Sequence, residues 1–206
     1  MRTKYTSLIF ILVSICIQIR TNAQQSWLKM DSTIAVSSKG LKLVNPWAGG
    51  LNAAQYSKME LNNDGVEDLV IFDRTNSKIT TFVASADPAN PSKKVFIHAP
   101  TYELLFPRMD NWMILADYNG DGLKDLFAST SLGIKVYRQV KTGNNFSWRL
   151  ERDALNTEGF SGDINLQVSG TDIPGILDID GDGDLDVIAS GRATHNLVVY
   201  WNQRKK

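Results

Sequence analysis

Three short acidic stretches of the chain repeat one arrangement of oxygen-bearing side chains. Each has a carboxylate or carboxamide at its first, third, fifth and ninth positions, a glycine at its sixth, and an apolar or aromatic residue at its second and tenth. The oxygen-bearing residues are Glu60, Asn62, Asp64 and Asp68 in the first stretch, Asp117, Asn119, Asp121 and Asp125 in the second, and Asp178, Asp180, Asp182 and Asp186 in the third. Chance does not align so many positions three times, so the chain contains internal repeats.

This spacing indicates a site for a hard cation. Oxygen atoms at alternate positions of a tight loop converge on one point, and glycine at the sixth position allows the positive φ that the turn needs. Ligands that are all oxygen favour Ca²⁺ over Mg²⁺, and both over Zn²⁺. Without a cation, the clustered carboxylates would repel one another and raise their own pKa values. The sequence therefore predicts three calcium sites, because a solvated acidic turn explains one copy but not three.

The loops differ from the EF-hand, which is the best-known calcium loop. An EF-hand loop ends in a bidentate Glu at its twelfth position and lies between two helices. Here the twelfth position holds Ile71, Ala128 or Ala189, and the flanking residues have the pattern of strands. The EF-hand interpretation fails on both counts.

Strand-like segments follow each acidic stretch at matching offsets. The first set covers residues 68–72, 125–129 and 186–190, and a second set, after a turn, covers residues 79–82, 134–137 and 197–200. Each repeat is therefore predicted to run strand, acidic loop, strand, turn, strand, with room for a fourth strand. The stretches 86–94 and 141–145 are rich in Pro, Asn, Ser and Gly and are interpreted as loops between repeats.

The predicted fold is all-β, and four-stranded repeats of this length are most simply arranged as a β-propeller. The motif and the strands after it resemble the FG-GAP or VCBS repeat family, the propeller repeats of the integrin α head and of many secreted bacterial proteins. The resemblance implies a partial β-propeller of about three four-stranded blades with calcium-binding loops, at about residues 47–100, 101–165 and 166–206. It also implies a further ligand in each loop, the backbone carbonyl of Val66, Leu123 or Asp184, while we expect the Asp184 side chain to face solvent.

The copies differ in ways that predict different affinities. Glu60 stands where the family has Asp, and Asp180 stands where the other two copies have Asn. Because ligand charge and loop fit tune calcium binding, we predict that affinity falls from the third site to the second to the first. Propellers usually close with four to eight blades, so three repeats predict a part of a longer protein or a truncated product. Residues 27–44 are predicted to add a strand or two before the first repeat.

Residues 1–23 have the pattern of a cleaved secretory signal. Arg2 and Lys4 precede an apolar run at 8–19 that is too short to span a bilayer, and small residues end the segment at Ala23. The mature chain, 24–206, is therefore predicted to be secreted or on the cell surface, with no membrane span. It lacks cysteine, since Cys16 is the only one. With 22 basic and 22 acidic residues, the chain has no basic field for nucleic acid.

The sequence offers little that could catalyse a reaction. His98 and His195 lack a motif partner and are expected to be surface or turn residues, and no hydrolase or phosphate-binding motif is present. The five tryptophans fit a blade core or a sugar-binding platform. We predict a non-enzymatic, calcium-binding extracellular binding or adhesion module whose partner is an unidentified protein or carbohydrate. The alternative is the propeller portion of a larger secreted hydrolase whose catalytic residues lie outside this chain.

Overall fold

A computed structural model describes residues 31, 33–87, 90–131, 133–191 and 196–203. The chain divides into two compact units, 1–34 and 35–206. In the first unit the Thr33 N–H and hydroxyl both donate to Asp31 Oδ1. The predicted signal at 1–23, together with Trp27 and His195, lies outside the described residues.

The second unit is built from β-strands. Its strands are β1 Ser37–Ser38, β2 Leu41–Lys42, β3 Ala54–Met59, β4 Asp68–Asp73, β5 Lys78–Asp87, β6 Asn90–His98, β7 Met113–Ala116, β8 Asp125–Ser129, β9 Ile134–Thr142, β10 Asn145–Arg152, β11 Asn156–Gly159, β12 Gly162–Asn165, β13 Gly175–Leu177, β14 Asp186–Ser190 and β15 Leu197–Tyr200. One 3-10 turn, η1, covers Glu103–Leu105. The described residues contain no α-helix, and so none long and apolar enough to cross a membrane. The prediction of an all-β protein is confirmed.

Among the described residues every sheet consists of consecutive antiparallel strands, and none closes on itself. The first sheet has the order β3-β4-β5-β6, the second β7-β8-β9-β10 and the third β13-β14-β15. Two small hairpins, β1-β2 and β11-β12, lie before the first sheet and between the second and third. The strands predicted on either side of each turn are present as β4 and β5, β8 and β9, and β14 and β15.

The two stretches interpreted as loops between repeats lie inside sheets instead. Residues 86–94 contain the end of β5 and the start of β6, and 141–145 contain the tight turn from β9 to β10. The sequence around Pro91 does not look like a strand because β6 is exposed over its first five residues and is the outer strand of its sheet. Proline and lysine are tolerated on such an edge, where some backbone N–H groups face solvent.

Alternating side chains of the second sheet fill two separate cores. Successive residues of a strand point to opposite faces, so Leu126 and Ala128 enter one core while Phe127 enters the other. The first core joins the first and second sheets through Val70 and Phe72 of β4. Three rings also pack in it, Phe106, Phe146 and Trp148, with centroids 5.5–5.7 Å apart.

The second core joins the second and third sheets. Its largest side chain is Trp112, which is fully buried together with Phe127 and Ile134, and the third sheet contributes Val187 and Ala189. The first strands of the three sheets are neighbours, because β7 contacts both β3 and β13. The sheets therefore follow one another in space in the order of the sequence.

Two side chains, Asn45 and Arg74, connect segments of this unit that are distant in sequence. Asn45 lies beside the outer strand β6, where its Nδ2 donates to the Phe96 carbonyl at 2.8 Å and its Oδ1 accepts the His98 N–H at 2.8 Å. Arg74, in the turn from β4 to β5, donates to the Asn111 carbonyl at 2.6 Å and to the Thr171 carbonyl at 3.1 Å. Arg74 therefore ties the first sheet to the segments that lead into β7 and β13.

Candidate metal sites

The three acidic stretches form three matching loops between the first and second strands of their sheets. The first loop joins β3 to β4, the second joins β7 to β8, and the third joins β13 to β14. The glycine at the sixth position has positive φ in each, 82° at Gly65, 84° at Gly122 and 94° at Gly183, as predicted. The fourth position is also left-handed, at 61° for Asn63, 77° for Gly120 and 79° for Gly181. Sequence reasoning missed this second turn, although Asn and Gly are the residues that tolerate it.

The carboxylate at the first position folds the loop around itself. Asp117 Oδ1 accepts the N–H of Gly120 at 2.8 Å, and its Oδ2 accepts that of Gly122 at 2.8 Å. Asp178 does the same with the N–H groups of Gly181 and Gly183, at 2.7 and 3.1 Å. These bonds draw the fourth and sixth residues of the loop toward the first carboxylate.

Glu60 takes the first position of the first loop without losing this contact. Its Oε2 accepts the Gly65 N–H at 2.6 Å, and its Oε1 accepts the Asp64 N–H at 3.2 Å. Asp117 likewise accepts the N–H of the fifth residue, Asp121, at 3.2 Å. Glu60 therefore keeps the bonds to both the fifth and the sixth positions in spite of its extra methylene.

The third and fifth positions make short-range turns in all three loops. The third side chain accepts the N–H of the fifth residue, at 3.1 Å for Asn62, 3.0 Å for Asn119 and 3.2 Å for Asp180. The fifth side chain accepts the N–H of the seventh residue: Asp64 from Val66, Asp121 from Leu123 and Asp182 from Asp184, at 2.8–3.1 Å. These are Asx turns, in which Asp or Asn bonds the backbone two residues on.

The ninth-position aspartate is buried in every copy and holds the sheet together. Asp68, Asp125 and Asp186 are each at most 1% exposed. One oxygen accepts the N–H of the loop's second residue, and the other accepts an N–H from within the third strand in the first two sheets and from just after it in the third. The donors are Leu61 and Ala84 for Asp68, Tyr118 and Gln139 for Asp125, and Ile179 and Asn202 for Asp186, at 2.8–3.0 Å. Sequence reasoning missed this structural role, which the repeated Asp before an apolar strand could have suggested.

Burial raises the pKa of the Asp68 and Asp125 carboxyls above the ordinary value. The backbone donors oppose this rise, and the neighbouring acids of the same loop add to it, Glu60 and Asp64 in the first and Asp121 and Asp117 in the second. A cation held among these carboxylates would favour their charged forms.

The third loop brings three carboxylates together most closely. One oxygen from each of Asp178, Asp180 and Asp186 lies within 4.8 Å of the others. Asp178 and Asp180 are exposed and Asp186 is buried, so the cluster opens to solvent on one side. Three converging anionic oxygens fit a hard divalent cation such as Ca²⁺ or Mg²⁺. These residues could hold a metal ion.

The first two loops have an amide where the third has Asp180. The Nδ2 of Asn62 donates to Asp64 Oδ2 at 2.9 Å, and that of Asn119 donates to Asp121 Oδ2 at 2.9 Å. The pKa of Asp121 is lowered by the Leu123 N–H, by this amide and by the nearby Arg138 guanidinium. An ionised Asp180 has no proton to donate. The third loop therefore gains a negative charge and loses the amide that stabilises the fifth carboxylate in the other two.

The remaining predicted site residues have varied positions. Three residues were expected to bind calcium through their backbone carbonyls. These residues, Val66, Leu123 and Asp184, occupy the seventh position of their loops and are half-buried. The Asp184 side chain was expected to face solvent, which is wrong for its Oδ1, because that atom is buried. His98 is not a surface residue either. Its imidazole is 8% exposed, and its Nε2 lies 2.9 Å from Glu103 Oε1.

Two of the five tryptophans are core residues, and two are partly exposed. Trp112 is fully buried and Trp148 packs against the first core. Trp47 and Trp201 are 38% and 49% exposed. No family model matches the chain, and no curated protein matches it.

Proposed function

We propose that the chain is a secreted, non-catalytic calcium-binding module of the FG-GAP/VCBS repeat type. In this proposal the three sheets are blades of a partial β-propeller. Each acidic loop, which joins the first and second strands of its blade, holds one Ca²⁺ ion. The module serves in extracellular binding or adhesion to a protein or carbohydrate.

The observation that carries the proposal is the convergence of Asp178, Asp180 and Asp186 within 4.8 Å. Three anionic oxygens so close together repel one another strongly in a site with one buried member. A divalent cation removes this repulsion, and oxygen-only donors are the set that Ca²⁺ prefers.

The repetition of the hydrogen bonds supports the same role for the other two loops. In each copy the first side chain accepts the N–H of the sixth residue, as with Asp117 and Gly122 at 2.8 Å. In each copy the ninth carboxylate accepts two backbone N–H groups, as with Asp125 and the N–H groups of Tyr118 and Gln139. The loops are thus preformed, which lowers the entropy cost of binding an ion.

The arrangement of the sheets supports the propeller. β7 contacts β3 on one side and β13 on the other, so the first strands of successive four-stranded or three-stranded meanders adjoin. Separate apolar cores fill the two spaces between sheets. Radially repeated four-stranded sheets with adjoining first strands are the pattern of propeller blades.

The test is thermal unfolding of the purified chain with Ca²⁺ and with excess chelator. We expect a higher midpoint with Ca²⁺, because an ion that binds only the folded loops stabilises them by mass action. Asp178→Ala is expected to reduce the gain, whereas the control Asp163→Ala, on an exposed residue of β12, is expected to keep it.

An unchanged midpoint on chelation, with no heat of binding in calorimetry, would remove the support for calcium. A gain of equal size with Mg²⁺ at equal concentration would argue against a calcium-selective site, since Mg²⁺ demands smaller, octahedral coordination.

A further inference from the structure

We propose that the tip of the β11-β12 hairpin binds a second copy of this chain, in the cavity between the β4–β5 turn and the segment that follows η1. Phe160 is the side chain that enters the cavity, and the acidic side chains behind it meet cations of the cavity lining. This goes beyond the calcium proposal and does not depend on it, because none of the residues concerned belongs to an acidic loop.

The hairpin ends in a narrow tip that carries one aromatic side chain. Gly159 pairs with Gly162, so Phe160 and Ser161 alone form the turn. A Cβ atom at Gly159 would lie 2.7 Å from Ile164 Cγ2, so the tip has no room for a side chain there. The Phe160 side chain is fully exposed. A phenyl ring on a slim turn fits a concave partner, and aromatic side chains bury about 150–250 Å² each.

Two unpaired carboxylates stand directly behind this ring. Glu158 and Asp163 are cross-strand partners, and both are exposed. Neither side chain has an ion-pair or hydrogen-bond partner in the described part of the chain. Like charges directly opposite one another on two strands are destabilising. Cations brought by another molecule relieve this repulsion, so the tip favours a partner with an apolar pocket flanked by basic residues.

The chain itself carries a cavity of this kind. Its volume is about 430 Å³, which lies within the range of about 300–1,000 Å³ found for ligand pockets. Ile79, Phe106 and Met109 form an apolar lining and are buried or half-buried. Lys78 and Arg108 line the same cavity as exposed cations. The cavity can therefore take a phenyl ring and place cations beside the carboxylates behind it.

The charges of the cavity are available to a partner. The Arg108 side chain has no ion-pair or hydrogen-bond partner among the residues that the structure describes. Lys78 Nζ makes a long contact, 3.4 Å to the Ala48 carbonyl oxygen. The acid of the lining, Glu103, is 21% exposed, and its Oε1 lies 2.9 Å from His98 Nε2. The cations of the cavity therefore complement the acidic tip of the hairpin.

The test is sedimentation velocity of the purified chain in Ca²⁺-containing buffer, at about 10–500 μM because a contact this small gives a weak complex. We expect the average mass to rise with concentration. Phe160→Ser and Arg108→Glu are each expected to weaken association at least tenfold, since they remove the aromatic anchor or reverse a complementary charge.

Two matched controls change an exposed aromatic residue and an exposed cation elsewhere. Tyr56→Ser on β3 and Lys94→Glu on β6 lie outside both the hairpin and the cavity lining. Both variants are expected to associate as the parent chain does. Circular dichroism confirms the fold of each variant.

A mixture of the two weakened variants tests the contact directly, because it joins two different surfaces. The Phe160→Ser chain keeps its cavity, and the Arg108→Glu chain keeps its tip. We therefore expect the two to associate with each other more strongly than either does with itself. A chain with both Arg108→Glu and Glu158→Arg exchanges the charges across the contact and is expected to recover part of the association.

A parent chain that stays monomeric over the whole concentration range would overturn the proposal. Association that Phe160→Ser leaves unchanged, or a mixture that associates no better than its components, would overturn it as well. Binding of a monomeric chain to phosphatidylcholine vesicles that is lost in Phe160→Ser would overturn it in favour of a membrane contact.

Discussion

The backbone N–H of Asn202 donates to Asp186 Oδ1 at 2.9 Å, so the third acidic loop is bonded directly to the segment that follows β15. The second oxygen of Asp186 accepts the Ile179 N–H, which belongs to the loop itself. One buried carboxylate therefore couples the loop to the third strand of its sheet. The same contact recurs between Asp68 and Ala84 and between Asp125 and Gln139.

Replacing Asp125 by Ala is expected to destabilise the fold by about 2–4 kcal/mol in urea unfolding. The substitution leaves the buried N–H groups of Tyr118 and Gln139 without their acceptor, and each such group costs about 1–3 kcal/mol. The control is Asp153→Ala, whose side chain is 80% exposed and pairs with Lys135, with an expected change below about 1 kcal/mol. Equal losses in the two variants would contradict the role assigned to Asp125.

Exchanging the third-position residues is expected to exchange calcium affinity between loops. Asp180→Asn gives the third loop the amide of the second, and Asn119→Asp does the reverse. Because ligand charge tunes affinity, we expect a roughly tenfold weaker third site and a stronger second site. Calorimetric titration of each variant measures this, and a third site unaffected by Asp180→Asn would show that the charge at this position does not set the affinity.

Asp73 is expected to contribute stability that is lost in acid. Although burial alone would raise its pKa, N–H groups of Thr75 and Asn52 donate to its oxygens and hold the pKa below the ordinary value. A lowered folded pKa means that the stabilisation is present above the unfolded value of about 3.9 and disappears as pH falls below it.

Asp73→Asn tests this, because the amide keeps the shape of the side chain but does not titrate in this range. The parent chain is expected to lose stability more steeply than the variant below about pH 4, and the two slopes are expected to agree near neutrality. Urea unfolding across this range measures both. Parallel curves through the acid limb would rule out a titrating role for Asp73.

Arg74 is expected to stabilise the stacking of the sheets through its two carbonyl acceptors. Arg74→Met keeps much of the apolar stem but removes both donors to Asn111 and Thr171, with an expected loss of about 1–3 kcal/mol. Arg74→Lys is expected to recover only part of this, since one ammonium lacks the fork of a guanidinium. Full rescue by Lys in urea unfolding would show that charge alone matters.

The sequence was sufficient to locate the loops and the strands that follow them. The positive φ of Gly65, Gly122 and Gly183 and the strands β4, β8 and β14 were predicted, because glycine position and apolar patterning are local signals. The fourth strands were not placed correctly. β6 is polar and exposed over most of its length, so it shows no period-2 pattern from which a strand is recognised.

The sequence identified the residues of the acidic loops but not the burial and hydrogen bonds of their ninth-position aspartates. Spacing alone showed that Asp68, Asp125 and Asp186 belong to the loops, yet their burial and second hydrogen bond depend on a third strand that lies 14–16 residues away. The position of His98 next to Glu103 was missed for a related reason, since η1 follows β6 in the chain but has no strong sequence signal. Contacts made by the folding of separate segments are not encoded in one short motif.

The consecutive order of strands has a consequence for how the chain acquires its structure. In the part of the chain that the structure describes, each sheet pairs only strands that are neighbours along the polypeptide. Such short-range pairing favours rapid folding relative to β proteins built from distant strands. The first sheet contains all of its own strands by His98, well before β13 is synthesised. Folding can therefore proceed from the N-terminal sheet onward during translation. Each completed sheet presents an apolar face against which the next sheet packs.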